Sequence, residues 1–290
     1  MMRLRTLKSK EDESVNFVLS GEFPGLFEAR YVRRNADVIA LYLSSQSGCR
    51  QACRMCHLTA SKQTALIDAT LGDYQEQAQK VFEWYDTQPK AKEIHYNFMA
   101  RGEAMANPLF LDSAPKLFRY LEDEGNTKRG LGIRIHISTI MPKVLSGKSL
   151  RKIFPSFPPQ LYYSIYSMNP DFRKKWLPNA MPPDEALEML KEYYRQSRVS
   201  PKLHWAFIEG ENDRFEDIYE ICEAVKKKQF PVNFAIVRYN PYSENYGHES
   251  SEEIINRNAK FIKDLMPMSE VKIVTRVGHD IKASCGMFVE

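Results

Sequence analysis

No run of about 18 apolar residues occurs in the sequence, which excludes a membrane-spanning helix. The basic opening, MMRLRTLKSKEDES, leads into no apolar stretch of the signal-peptide kind. The expectation is a protein that stays in a reducing cytoplasm. Nothing repeats at a fixed period and no low-complexity linker divides the chain, so solenoids and tethered arrays are excluded as well. Cysteine is scarce and odd in number, with five residues, which argues against a secreted disulfide framework. A strong charge of either sign is also missing: 41 Lys and Arg against 37 Asp and Glu leave a net charge of +4. That balance permits a nucleic-acid partner without demanding one. The positive residues are unevenly spread, however. Arg3, Arg5, Lys8, Lys10, Arg30, Arg33 and Arg34 crowd the first 35 positions, where a solvated surface is the ordinary reading.

What is present is an alternation. With 43% hydrophobic residues, the 290-residue chain can build one large core or two small ones. Runs rich in β-branched and aromatic residues occupy 38–44, 93–99, 132–138, 161–166, 203–208 and 233–238. Helical periodicity fills 74–85, 114–124, 148–154, 183–195 and 215–228. In the last of these, Ile218, Ile221, Cys222 and Val225 recur on one helical face. Strands alternating with helices predict parallel βα units, here a six-unit partial (β/α) barrel of class α/β. Residues 14–20 and 25–34 predict a β-hairpin ahead of it, and 271–275 a further strand behind. The expected division is a hairpin extension over 1–36 and a barrel over 37–290 that ends in a cysteine loop. In such a fold, ligands gather at the carboxyl ends of the strands.

Three of the five cysteines fall within eight residues, as Cys49, Cys53 and Cys56, directly after the first barrel strand. Spaced C-x3-C-x2-C on one short loop, three thiolates can wrap three corners of a [4Fe–4S] cubane and leave the fourth iron open. Two other readings use the same residues. Zinc could take the three thiolates with His57, although adjacent Cys56 and His57 are awkwardly placed for one tetrahedral ion. The C-x-x-C-H of Cys53 to His57 also matches haem attachment, but leaves Cys49 idle.

A C-x3-C-x2-C loop after the first strand of a partial barrel resembles the radical S-adenosylmethionine (SAM) superfamily. Met55 stands where that superfamily usually has an aromatic residue beside the cluster. The resemblance then narrows. Ser44-Ser-Gln-Ser-Gly-Cys49 is similar to the SSQxGC opening of the RlmN/Cfr family of RNA adenine methyltransferases. Gly102-Glu103-Ala-Met-Ala-Asn107 resembles its GEPLLN, and Ser138-Thr139 its STSG. Ser164-Ile165-Tyr166-Ser167 resembles its SLHA with Tyr166 in place of His, and Asn240-Pro241 its WNP. Thr275 to Gly286, TRVGHDIKASCG, resembles its TRGxDIxAACG. These matches keep their order from about residue 14 to residue 287, nearly the whole chain.

The resemblance implies a [4Fe–4S] cluster on Cys49, Cys53 and Cys56, and SAM bound by Gly102, Glu103, Ser138, Ser164, Ile165, Tyr166 and Asn240. It implies a catalytic Cys285 that carries a methyl group to C2 or C8 of an adenine in RNA. Glu28 falls near the family's substrate-side glutamate, a candidate base. The implied partners are rRNA or tRNA and an electron donor such as flavodoxin or ferredoxin, with the chain monomeric and away from membranes. Tyr239, Tyr242 and Tyr246 are candidates for stacking on a base. Two departures qualify the picture. The family's helical N-terminal domain is absent, and Tyr42 stands seven residues before Cys49, where the family has its second catalytic cysteine. Tyrosine cannot form the releasing disulfide. A different radical SAM reaction, or a non-catalytic zinc- and RNA-binding protein, therefore stand as alternatives.

Overall fold

The computed structural model describes residues 3–290. Ten strands join one open sheet in the order of the chain. Strands β1 (Arg3–Lys8), β2 (Val15–Ser20) and β3 (Phe27–Arg33) are antiparallel and lead antiparallel into β4 (Val38–Tyr42). From β4 onward all pairing is parallel, through β5 (Glu93–Phe98), β6 (Gly132–Thr139), β7 (Gln160–Ser164), β8 (Lys202–Trp205), β9 (Asn233–Ile236) and β10 (Val271–Ile273). The alternation expected from the sequence is thus the architecture found.

Helices fill the crossovers: α1 (His57–Ala60), α2 (Leu71–Tyr85), α3 (Pro108–Glu122), α4 (Leu150–Ile153), α5 (Pro170–Trp176), α6 (Pro183–Ser197), α7 (Phe215–Lys228) and α8 (Glu252–Leu265). Helix α2 starts at a reciprocal cap, with Thr70 Oγ1 accepting from the Asp73 amide and Asp73 Oδ2 accepting from the Thr70 amide. Its buried stripe of Tyr74, Ala78, Val81, Phe82 and Tyr85 then packs on the sheet. Helix α7 buries Ile218, Ile221, Cys222 and Val225 as the sequence predicts. Among the described residues no helix is long and apolar enough to cross a membrane.

Two expectations change. The N-terminal hairpin has a third strand, β1, because six paired positions with β2 hold it in place although almost nothing in it is buried. Burial periodicity cannot announce such a strand. The helix expected over 148–154 shrinks to the single turn of α4, bounded by Gly147 at a positive φ of 73° and by Pro155. Thr70→Ala should lower stability by about 1 kcal/mol, read as a shifted urea midpoint at unchanged slope.

Candidate active site

The loop after β4 is braced before it reaches its first cysteine. Ser45 N donates to Arg101 O at 2.7 Å, Ser47 N donates to Ile67 O at 3.1 Å, and Ser44 Oγ donates to Glu28 O at 2.7 Å. Gly48 is obligatory here, since a Cβ would stand 2.5 Å from Ala65 O and 2.6 Å from Gln63 O. Cys49, Cys53 and Cys56 follow, all half-buried. Burial pushes the Cys49 thiol up to about 12 and Cys56 to about 11, and raises Cys53 well above its ordinary value. Mutual repulsion between neighbouring thiolates adds to the effect at Cys49 and Cys53, while backbone amides near all three, and Arg101 near Cys56, oppose it without overcoming it. Three desolvated thiols on one short loop, too weakly supported to ionise by themselves, are a donor set suited to a cationic iron–sulfur core.

His57 does not complete a zinc site. Its Nε2 is spent on Asn240 O at 3.0 Å, and its ring meets Tyr242 edge-on at 5.2 Å. Among the described residues no three Cys, His, Asp or Glu side chains gather as ligands of one ion would. Arg54, between Cys53 and Cys56, lies over the rings of Trp176 and Tyr246 and donates to Asn245 O, which ties the β9–α8 loop to the cysteine loop. In that loop Tyr239 is buried, while Tyr242 is 39% exposed and so keeps a face for a partner.

The remaining rim residues converge at the strand ends. Gly102, at φ +85°, follows β5 where a Cβ would collide with Gln46. Glu103 is buried, its two carboxylate oxygens accepting from Met105 N at 3.1 Å and Ile140 N at 3.0 Å. Burial pushes its pKa up to about 7. Ser138 and Ser164, on neighbouring strands, both reach Nε2 of His204 on β8, at 2.9 and 2.7 Å. His204 is buried, which holds its pKa down to about 4, so the imidazole is neutral. Ile165 is fully buried, and Tyr166 takes a positive φ of 55°, unusual for an aromatic residue. Asn212 Nδ2 donates to Tyr166 O, and Arg173 donates to the carbonyls of Ile165 and Ser167, so the turn is held from both sides. The buried phenol lies near Cys285, Cys53 and Cys56.

The C-terminal segment crosses this mouth as a strap. Asn240 Nδ2 donates to Cys285 O at 2.9 Å, and His57 N donates to Gly286 O at 2.9 Å. Asn240 Oδ1 is buried and has no protein donor, which leaves an acceptor unspent. Cys285 is exposed; the protein around it raises its thiol pKa and Arg30 pulls it down.

Beneath the strap lies a charge cluster that sequence reasoning did not find. Glu28 accepts from Arg30 Nη2 at 2.8 Å, Arg101 Nε at 2.9 Å, Asn16 Nδ2 at 2.8 Å and the Val289 amide at 3.0 Å. Arg30 goes on to the carbonyls of Ala283 and Met287, and Arg101 to those of Ser47 and Val289. Read from the sequence as a candidate base, Glu28 has its carboxylate fully occupied in holding the strap against the cysteine loop. One signal was available: Glu28 and Arg30 are two apart on one strand, hence on the same face. Arg101 and His204 carried no such mark.

No family model matches the chain. The fold is that of a radical SAM methyltransferase from Sphaerobacter thermophilus, which superposes with a TM-score of 0.82 at 18% identity over 99% of this chain and 80% of that one. In sequence, the ribosomal RNA large subunit methyltransferase Cfr of Staphylococcus warneri is 28% identical over 264 residues, covering 84% of this chain and 67% of that protein. The probable dual-specificity RNA methyltransferase RlmN of Lachnospira eligens is 27% identical, over 84% of this chain and 65% of that protein. The chain spans about two thirds of the length of these curated relatives. The chain is thus similar in fold to a radical SAM methyltransferase and in sequence to Cfr and RlmN.

Glu28→Gln should destabilise the fold by about 3–5 kcal/mol, because two buried guanidiniums lose their counter-charge. Burial alone would raise the Glu28 pKa, but Arg30 and Arg101 outweigh it and hold it below the ordinary value near 4.5. Its ionised form therefore stabilises the protein above that value, and the contribution is lost as pH falls. Chemical denaturation should show the gap between wild type and variant smaller at pH 3.5 than at pH 7, by about 1 kcal/mol.

Proposed function

We propose that the chain is a radical SAM methyltransferase acting on RNA, with C2 or C8 of an adenine as the target and S-methylated Cys285 as the carrier. The observation that carries this reading is the strap, which holds Cys285 over the cysteine loop through Asn240, His57, Arg30 and Arg101. Cys49, Cys53 and Cys56 would hold a [4Fe–4S] cluster. Gly102, Glu103, Ser138, Ser164, Ile165, Tyr166 and Asn240 would line the SAM site. When bound, the two cofactors supply a 5′-deoxyadenosyl radical.

The protein's own groups do the rest. Glu103 offers a carboxylate to an ammonium, a charge-assisted bond that its present amide partners leave room to strengthen. Asn240 Oδ1 offers an unspent acceptor. Burial raises the thiol pKa values of Cys285 and Cys56, and Arg30 and Arg101 respectively act against that rise. An electron donor of flavodoxin or ferredoxin type and an rRNA or tRNA substrate complete the reading, with the chain acting as a monomer.

A second reading, a radical SAM enzyme with a different outcome, is favoured by Tyr42. Its hydroxyl accepts from Arg34 Nη2. The remaining cysteine, Cys222, is fully buried on α7, so no second thiol stands ready to resolve a protein–RNA adduct.

Anaerobic purification should yield about four irons per chain, and the triple variant of Cys49, Cys53 and Cys56 to Ala none. Mass spectrometry should then find a methyl group on Cys285 after incubation with SAM and reductant; an iron-replete protein whose Cys285 stays unmodified sinks the methyl-carrier reading. Glu103→Gln should keep its iron yet bind SAM about ten- to a hundredfold more weakly in equilibrium dialysis.

A further inference from the structure

The seven positive residues that crowd the N-terminus separate cleanly in the fold. Arg30 is consumed by Glu28 and the strap. Arg33 donates to the Tyr31 hydroxyl and the carbonyls of Ala36 and Pro89, and pairs with Glu13. Arg34 donates to Tyr42. The Lys8 ammonium lies 4.3 Å from the centre of the Trp84 ring on α2. Lys10 leaves the strand where its amide donates to Asp280. The Lys10 ammonium has no partner among the described residues, but it lies beyond β1 at the end away from Arg3; within the strand, Arg3 and Arg5 are left. Both are exposed, and among the described residues neither has a hydrogen-bond or ion-pair partner for its side chain.

Their position is fixed by register. Arg5 lies opposite Val18, which lies opposite Glu28; Leu7 lies opposite Asn16, Arg30 and Tyr42 in turn. Residues directly opposite each other share a face, so Arg3 and Arg5 stand on the face that carries Glu28 and Arg30 and receives the strap. Lys8, one position out of phase, points the other way, toward α2. Direction adds a second constraint. Strand β1 runs antiparallel to β2, so Arg3 pairs with Ser20, at the end of the sheet where Phe27 begins β3 and Ser44 leaves β4. That is the mouth end. Two strand spacings of about 4.8 Å put the Arg5 backbone about 10 Å from that of Glu28.

We propose that β1 is a phosphate-binding rail: Arg3 and Arg5 take the backbone of a single-stranded RNA segment whose target base enters the mouth beside Cys285. The inference rests on the RNA-methyltransferase reading above and names the surface that reading lacks. Guanidiniums without partners, spaced two residues apart along an extended strand, present bidentate donors to successive phosphates. The strand itself buries almost nothing, so its place in the sheet is not explained by the core. Charge on an edge strand also blocks edge-to-edge pairing, but that purpose is served by either sign and on either face. It does not account for two arginines on the inner face at the mouth end.

The test uses the anaerobically purified full chain and a fluorescein-labelled adenine-rich 20-nucleotide single-stranded RNA, titrated by anisotropy across a salt series. Relative to wild type, R3A/R5A should bind at least tenfold more weakly at low salt. The slope of log affinity against log salt should fall by about 1.4, at about 0.7 for each phosphate no longer neutralised. R3E/R5E, which keeps the edge charged, should bind more weakly still, and both variants should keep the melting temperature and iron content of wild type. A control, K116A/R119A, removes two exposed charges from the outer helix α3 and should change little. If wild type binds and R3A/R5A matches it, or if the control weakens binding as much, the rail is overturned while the RNA reading stands. If wild type binds no RNA, the RNA reading itself fails and takes the rail with it.

Discussion

One buried carboxylate between two guanidiniums organises this molecule. Glu28 belongs to the antiparallel extension, Arg101 to the rim beyond β5, and the main-chain groups that Arg30 and Arg101 grip belong to the strap and the cysteine loop. Removing any one partner strands a charge in a place without water, which is far costlier than losing an exposed ion pair. The arrangement is also unbalanced, with two positive groups to one negative. The two thiols nearest it, Cys56 and Cys285, are raised by burial, and the guanidiniums act against that rise. Structural support for the strap and electrostatic support for its thiol are therefore the same interaction.

Much of this was legible in the sequence, and what was not has a physical reason. Parallel strands are buried on both faces and read as apolar runs, so six of the seven strands from β4 to β10 declare themselves, and the seventh shows as the short run that became β10. The three cysteines and the small residues of their loop are also plain, since spacing carries the chemistry. Strand β1 was invisible because its stability comes from a ladder rather than from burial. Arg101 and His204 were invisible because each acts on residues far away in sequence: Arg101 joins positions 28, 47, 63 and 289, and His204 joins 138 and 164. Single-residue reading has no access to such convergence. Glu28 shows the converse, a residue whose position was noticed and whose partners were not.

The two tyrosines at which the sequence departs from the RlmN/Cfr pattern do different things. Tyr42 occupies a strand position on the inner face and engages Arg34. Tyr166 is held in a left-handed backbone conformation by Asn212 and Arg173, with its phenol turned toward the cysteines. A β7–α5 turn clamped at three carbonyls sustains that strain without relaxing.

The pairing of Ser138 and Ser164 on a single imidazole nitrogen has a consequence in counting. Nε2 of a neutral histidine is one donor or one acceptor, never two. Two hydroxyls that share it can satisfy only one of themselves at a time, and the other must look elsewhere. Between these two neighbouring strands the rim thus keeps one hydroxyl hydrogen-bonding position to spare. Whatever small polar molecule settles there meets a site that is already short of one partner, and its arrival decides which serine the histidine keeps.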